Sequence, residues 1–147
     1  AVNLGIMALL YLVIMGLLLG MPHPSLLAFL ALLFVELMLL TACATLFSTY
    51  SGPTTASAFT LAVFVIGHLA DDIWSFGQQA ESPWVQRLSE FLYWALPNFE
   101  IFNVQPEATH ELAIGWARVA TATGYGLAYS TVVLIAAVVV FQQRDFK

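Results

Sequence analysis

"SLLAFLALLFVELMLLTACATLFSTY", residues 25–50, carries one acidic side chain, Glu36, in a run built otherwise mainly of Leu, Ala, Phe and small hydroxyl residues. A helix needs about 20 apolar residues to cross a bilayer, and this run is long enough to cross with some tilt. Glu36 lies eleven residues past Ser25, roughly 16 Å along a helix and near the bilayer centre. A charge there costs at least ~2.5 kcal/mol on insertion scales, so the carboxyl must face protein or a watery cavity, or be protonated. Two readings stay open for it. One is a pathway or coupling residue. The other is an interhelical hydrogen bond, for which Tyr125, eleven residues past Ile114 on another apolar run, is the candidate partner.

The flanking sequence repeats the apolar pattern. Runs at 2–20, 54–70 and 114–141 join 25–50 to give four predicted spans. "GMPHPS" forms a turn after the first, because two prolines around His23 cannot continue a helix. "YSGPTT" ends the second, with Gly52 as the stop and Pro53 just beyond. Leu69, Ile73 and Phe76 keep a helical spacing, which predicts that the third helix continues to about residue 78. In the fourth, Ala120, Gly124 and Ala128 make a small-xxx-small face suited to close helix packing.

The composition agrees: 61% hydrophobic and 9% charged residues, with a mean hydropathy of +0.87. Soluble domains carry roughly a quarter charged residues. The expected fold is all-α, a single polytopic membrane bundle of four spans. Its connection, 71–113, would hold an external amphipathic or re-entrant helical segment. Arg144 and Lys147 follow the last span, which predicts a cytoplasmic C-terminus. The connection bears Asp71, Asp72, Glu81, Glu90, Glu100, Glu107 and Glu111 against Arg87 alone. "AVNLGIMALL" has no basic region with a cleavage site behind it, so it reads as a chain beginning in mid-protein rather than a signal peptide.

Several chemistries are disfavoured. The net charge of -5 argues against nucleic acid, which is bound by clustered Lys and Arg. Cys43 is the only cysteine, so neither an intrachain disulfide nor a Cys-based metal cluster is available. A P-loop needs a lysine among its glycines, and Lys147 is the only lysine. "HELAI", residues 110–114, starts like a zinc-protease motif, but Ile114 stands where the second His belongs. No metal, cofactor or catalytic residue is expected.

His68, Asp71 and Asp72 fall at i, i+3 and i+4, which would put them on one helix face. They read either as an ion or substrate site at the external mouth of the third span, or as a helix leaving lipid with solvated aspartates. "ESPWVQRLSEFLYWAL" predicts an amphipathic helix over 83–96, with Ser82 as N-cap and Pro83 at its first position. Trp84, Val85, Leu88, Phe91, Leu92, Ala95 and Leu96 share its apolar face; Gln86, Arg87, Ser89 and Glu90 lie opposite. Pro97 stops it, and "NFEIFN" restarts with Asn98 as a possible cap. Trp84, Leu88, Phe91, Leu92, Trp94, Pro97, Asn98 and Asn103 thus form an external interfacial segment. It either lies flat on the membrane or dips between spans under a cover of protein.

"LFSTYSGPTTASAFTLAVFVIGHLADDIWSF", then "LYWALPNFEIFNV", then a span closing on "FQQRDF", resemble the C-terminal part of bacterial ABC type-2 permeases, the membrane subunits of exporter-type ABC transporters. The resemblance runs from about Ser25 to Phe146. It implies six spans with both ends cytoplasmic, of which this chain matches the last four, and hence an N-terminally truncated fragment in the bacterial inner membrane. It further implies a dimer or paired permease, a separate cytoplasmic P-loop ATPase, and an external hairpin-like helical segment before the last span. The third span would face the pathway, with Thr60, Phe64 and Gly67 as lining residues. The apolar spans suit lipids, drugs or a structural wall alike. Two other classes stand beside this one: an intramembrane enzyme using Glu36, His68 and Asp72, and a non-transporting membrane anchor.

Overall fold

A computed structural model describes residues 24–104 and 115–145, with side chains over 27–104 and 115–143. The first predicted span (2–20), the turn at His23, "HELAI" and the last two residues lie outside the described residues. Among the described residues the fold is helical without strands. The helices are α1 (Pro24–Tyr50), α2 (Pro53–His68), α3 (Ala70–Gln79), α4 (Pro83–Ala95) and α5 (Trp116–Asp145), with a 3-10 turn at Glu100–Phe102.

Two helices are long and apolar enough to cross a membrane: the Leu27–Tyr50 part of α1, of 24 residues, and the Trp116–Gln143 part of α5, of 28 residues. They match the second and fourth predicted spans. The third predicted span is a broken pair. α2 and α3 meet at Leu69 with a bend of 62°, and by length and composition the pair is either one broken span or a re-entrant loop. Helix therefore does extend through "DDIWSFGQQ", but not in line with α2. Two boundaries shift from expectation. α1 begins at Pro24, a residue favoured at the first helical position, and places Ser25 inside the first turn. Gly52 has extended backbone and is the N-cap of α2, so it opens the next helix rather than closing the last one.

α1 buries Ala28, Leu32, Val35, Leu39 and Ala42, a stripe spaced by four and three residues. Its polar side chains turn back on the helix: Thr45 Oγ1 donates to the Thr41 carbonyl at 2.8 Å and Ser48 Oγ to the Thr45 carbonyl at 2.8 Å. Such back-bonding lets hydroxyls sit in an apolar helix without a missing partner. α5 buries Ala122, Val133 and Ala137 together with Gly126 and Ser130. Ala120, Gly124 and Ala128 are exposed, and a side chain at Gly124 would meet nothing within 4 Å. "VATATGYGLAYS" offers two interleaved small-residue stripes, 120/124/128 and 122/126/130. The second is the one that packs among the described residues, and the predicted 120/124/128 face is left exposed.

The chain divides into two compact units, Ala1–Leu39 with Phe102–Ala128, and Leu40–Ile101 with Tyr129–Lys147. In the first, Val35 Cγ1 and the Phe102 ring lie directly over Gly126, with Phe102 Cζ 3.0 Å from where a Cβ would stand. The Phe102 and Tyr125 rings are 6.2 Å apart, and Arg118 Nη2 donates to the Asn103 carbonyl at 3.3 Å. In the second unit, α3 and α4 form a helical hairpin. Gly77 lies against Ser89, and Trp74 packs on Tyr93 with ring centroids 4.9 Å apart. Gln86 Nε2 ties the connecting turn by donating to the Ala80 carbonyl at 2.8 Å.

The hairpin corrects the predicted faces of α4. Ser89 is its buried residue, flanked by half-buried Val85, Leu92, Tyr93 and Leu96. Trp84, Leu88, Phe91 and Ala95 are exposed, as is Trp94 beside the polar side. The reason is size. α3 approaches closely at Gly77, and a serine fits that contact where a tryptophan would not. The helix thus has three faces: a packing face, a polar one, and an apolar one left uncovered.

Candidate functional site

The site is the break between α2 and α3 together with the segment that docks into it, Pro97-Asn98-Phe99. Pro97 terminates α4, as its missing N–H dictates, and Leu96 leaves the helix extended. Pro97, Asn98 and Phe99 are all buried, Phe99 completely (0% exposed). Asn98 does two jobs. Its Oδ1 accepts from the Glu100 N–H at 2.8 Å, a local turn that Asn side chains favour and that opens the 3-10 turn. Its Nδ2 donates to Asp71 Oδ1 at 3.0 Å, tying the segment to the first turn of α3. Asp71 and Asp72 also sit where the positive end of the α3 dipole favours carboxylates.

Phe99 completes the docking. Its backbone N–H donates to the Gly67 carbonyl at 2.9 Å, and its ring lies on the bare Gly67 Cα. A side chain at Gly67 would fall on that ring and 2.6 Å from the Pro97 carbonyl oxygen. The ring also stacks on His68, with centroids 5.5 Å apart and planes 8° apart, and sits 6.1 Å from Phe64. His68 Nδ1 pairs with the Phe64 carbonyl at 3.0 Å. Thr60 Oγ1 is turned back on its own helix, 2.8 Å from the Ala56 carbonyl.

The predicted residues therefore separate into groups. Phe64, Gly67, His68, Asp71, Pro97 and Asn98 are brought together, with Phe99, which the sequence did not single out, at their centre. His68 does not share a continuous face with Asp71 and Asp72: it ends α2, while the two aspartates begin α3. Asp72 is exposed. Trp84, Leu88, Phe91 and Trp94 stand apart on the uncovered side of α4, and Leu92 is half-buried in the hairpin. In the other unit, Glu36 and Tyr125 are each half-buried, and each is adjacent in sequence to a member of the Val35–Gly126 contact.

A second feature escaped the sequence. Tyr129 Oη donates to the Ala95 carbonyl at 3.2 Å, satisfying one of the carbonyls left unpaired at the end of α4. Among the described residues, no group of three or more His, Cys, Asp or Glu could hold a metal ion. What the junction offers chemically is an aromatic stack over a glycine, two backbone carbonyls drawn into long-range contacts, and a carboxylate held by an amide. Compared with protein-family models, curated proteins and solved structures, the chain finds no match.

Proposed function

We propose that this chain is a membrane-spanning permease subunit of an exporter-type ABC transporter, forming part of a translocation path that a separate P-loop ATPase drives. On this reading it works as a dimer or paired permease. It crosses the bacterial plasma membrane several times, with its C-terminus in the cytoplasm, and catalyses no reaction itself. The observation that carries the proposal is the order of elements: a broken apolar helix, then a short helical hairpin with an uncovered aromatic face, then a long apolar helix. That order is what would be expected if the hairpin were the external segment before a final span that the resemblance to ABC type-2 permeases implies. α2, which carries Thr60, Phe64 and Gly67, would be the path-facing helix, and Glu36 a residue responding to movement of the path. The ATPase supplies the free energy; the membrane part contributes two global states whose populations it shifts.

The test is to co-express the complete reading frame with the P-loop ATPase encoded beside it and purify in mild detergent. A stable complex is expected, with ATP turnover changed by Glu36→Ala. An ATPase that neither binds the membrane chain nor responds to it would overturn the proposal. So would an enzymatic activity of the membrane chain alone.

A further inference from the structure

The bend at Leu69 has neither a proline nor a Gly/Ser pair to cause it, and Gly67 is the one weak helix former beside it. Sharp helix kinks arise at proline, at Gly/Ser pairs, at π-bulges, or where a foreign group enters the hydrogen-bond ladder. No proline lies between Pro53 and Pro83, and Leu69, Ala70 and Asp71 are compatible with helix. In an unbroken helix the Gly67 carbonyl would accept from the Asp71 N–H, four residues on. Here it accepts from the Phe99 N–H at 2.9 Å, while the Asp71 side chain is held by Asn98 at 3.0 Å.

We propose that Pro97-Asn98-Phe99 is a wedge that imposes the bend between α2 and α3, and that α2–α3 straightens toward one continuous helix when the wedge withdraws. Three contacts hold the wedge, and each has a separate origin. The Phe99 N–H occupies the Gly67 carbonyl. The Phe99 ring covers Gly67 and stacks on His68. Asn98 clamps the first turn of α3 through Asp71 while its other amide atom fixes the turn that aims Phe99. The ring contact needs a residue without a side chain at position 67, where a Cβ would meet the Phe99 ring and the Pro97 carbonyl oxygen. The wedge is therefore a conformational switch between a latched, bent state and an unlatched, straighter one. It does not rest on the transport reading: the bend and its cause would be the same in a membrane anchor.

The experiment measures the angle directly. Spin labels are placed at Thr54 and Gln79, both exposed, in the full chain with Cys43→Ala, and their separation is read by pulsed electron paramagnetic resonance. With the 62° bend the two positions are about 32 Å apart, against about 37 Å in a straight helix at 1.5 Å per residue. Gly67→Ala expels the Phe99 ring, and is expected to add a population about 5 Å longer. Phe99→Ala and Asn98→Ala are expected to add a smaller one, and they decide the matter if Gly67→Ala does not fold. Asp71→Asn keeps an acceptor for Asn98 and is expected to leave the distance unchanged. Folded variants at 67, 98 and 99 that all keep the parental distance would show the bend to be intrinsic and overturn the proposal. A shift in Asp71→Asn equal to that in Gly67→Ala would overturn it too, because charge rather than the wedge would then hold the bend.

Discussion

α1 and the α3–α4 hairpin bury their side chains in opposite ways. α1 covers Ala28, Leu32, Val35, Leu39 and Ala42 along its length and leaves Leu27, Phe34 and Met38 outside, so many moderate contacts share its packing. α4 buries Ser89 while Trp84 and Trp94 each stay 73% exposed, so its position depends on Gly77, on Trp74 against Tyr93 and on the bonds at its two ends. The long helix resembles a core element turned inside out, with apolar groups on both sides. The hairpin is a small clasp carrying large aromatics, Trp84 and Trp94, that nothing among the described residues covers. The difference teaches that side-chain size is no guide here to the weight of a residue: buried Gly77 and Ser89 locate the hairpin, and exposed Trp84 and Trp94 do not.

That contrast can be broken most severely in the long helices. Gly126→Leu drives a side chain into Val35 and Phe102, and overpacking of this kind costs about 1–3 kcal/mol or more. Gly124→Leu, two residues away, points into open space and is expected to leave the fold intact. A titration with denaturing detergent, followed by circular dichroism, checks the pair; equal losses would mean that the packed stripe is not 122/126/130. Gly77→Val comes next, with a cost of about 2 kcal/mol confined to the hairpin. Its signature is faster tryptic cleavage at exposed Arg87 with little change in the global midpoint. If the midpoint falls as far as in Gly126→Leu, the hairpin is not a separate clasp.

Smaller still is the contrast within α4. Leu92→Asp brings a charge into the hairpin and is expected to speed cleavage at Arg87 several-fold, whereas Phe91→Asp on the uncovered face should leave cleavage unchanged. The same rate for both would erase the distinction between packing and uncovered faces. The smallest effect is expected from Ser130→Ala. The Ser130 hydroxyl is buried without a hydrogen-bond partner, so its removal should be neutral or stabilising, within about 1 kcal/mol. A clear loss of stability in the detergent titration would show that the hydroxyl is needed.

The sequence made the long apolar helices legible because composition alone decides them: α1 and α5 fall where the runs at 25–50 and 114–141 place them. It also located α4, since Pro83 and Pro97 bracket it. Three things were not legible, each for a physical reason. The bend at Leu69 depends on a hydrogen bond from Phe99, far along the chain, and Gly67 alone within 67–73 hints at it. The sequence pointed to 120/124/128 on α5 and not to the stripe that packs among the described residues, because small residues recur at two registers. Ser89 was assigned to the polar face because a serine beside a glycine is a close-contact pair only after the hairpin brings them together. The site was legible in part: His68, Asp71, Pro97 and Asn98 stood out by residue type, but Phe99 looked like one more aromatic among many.

The Tyr129–Ala95 bond also sets a mechanical tolerance. At 3.2 Å it has only a few tenths of an ångström of slack before it ceases to be a hydrogen bond. Sliding α5 along its axis by one residue's rise is about 1.5 Å, several times that slack. The phenol therefore marks the register of α5 against the end of α4: a slide of one residue would leave the Ala95 carbonyl without this donor unless the side chain swings to follow. A tyrosine vibrational or fluorescence probe at this position would report loss of the bond.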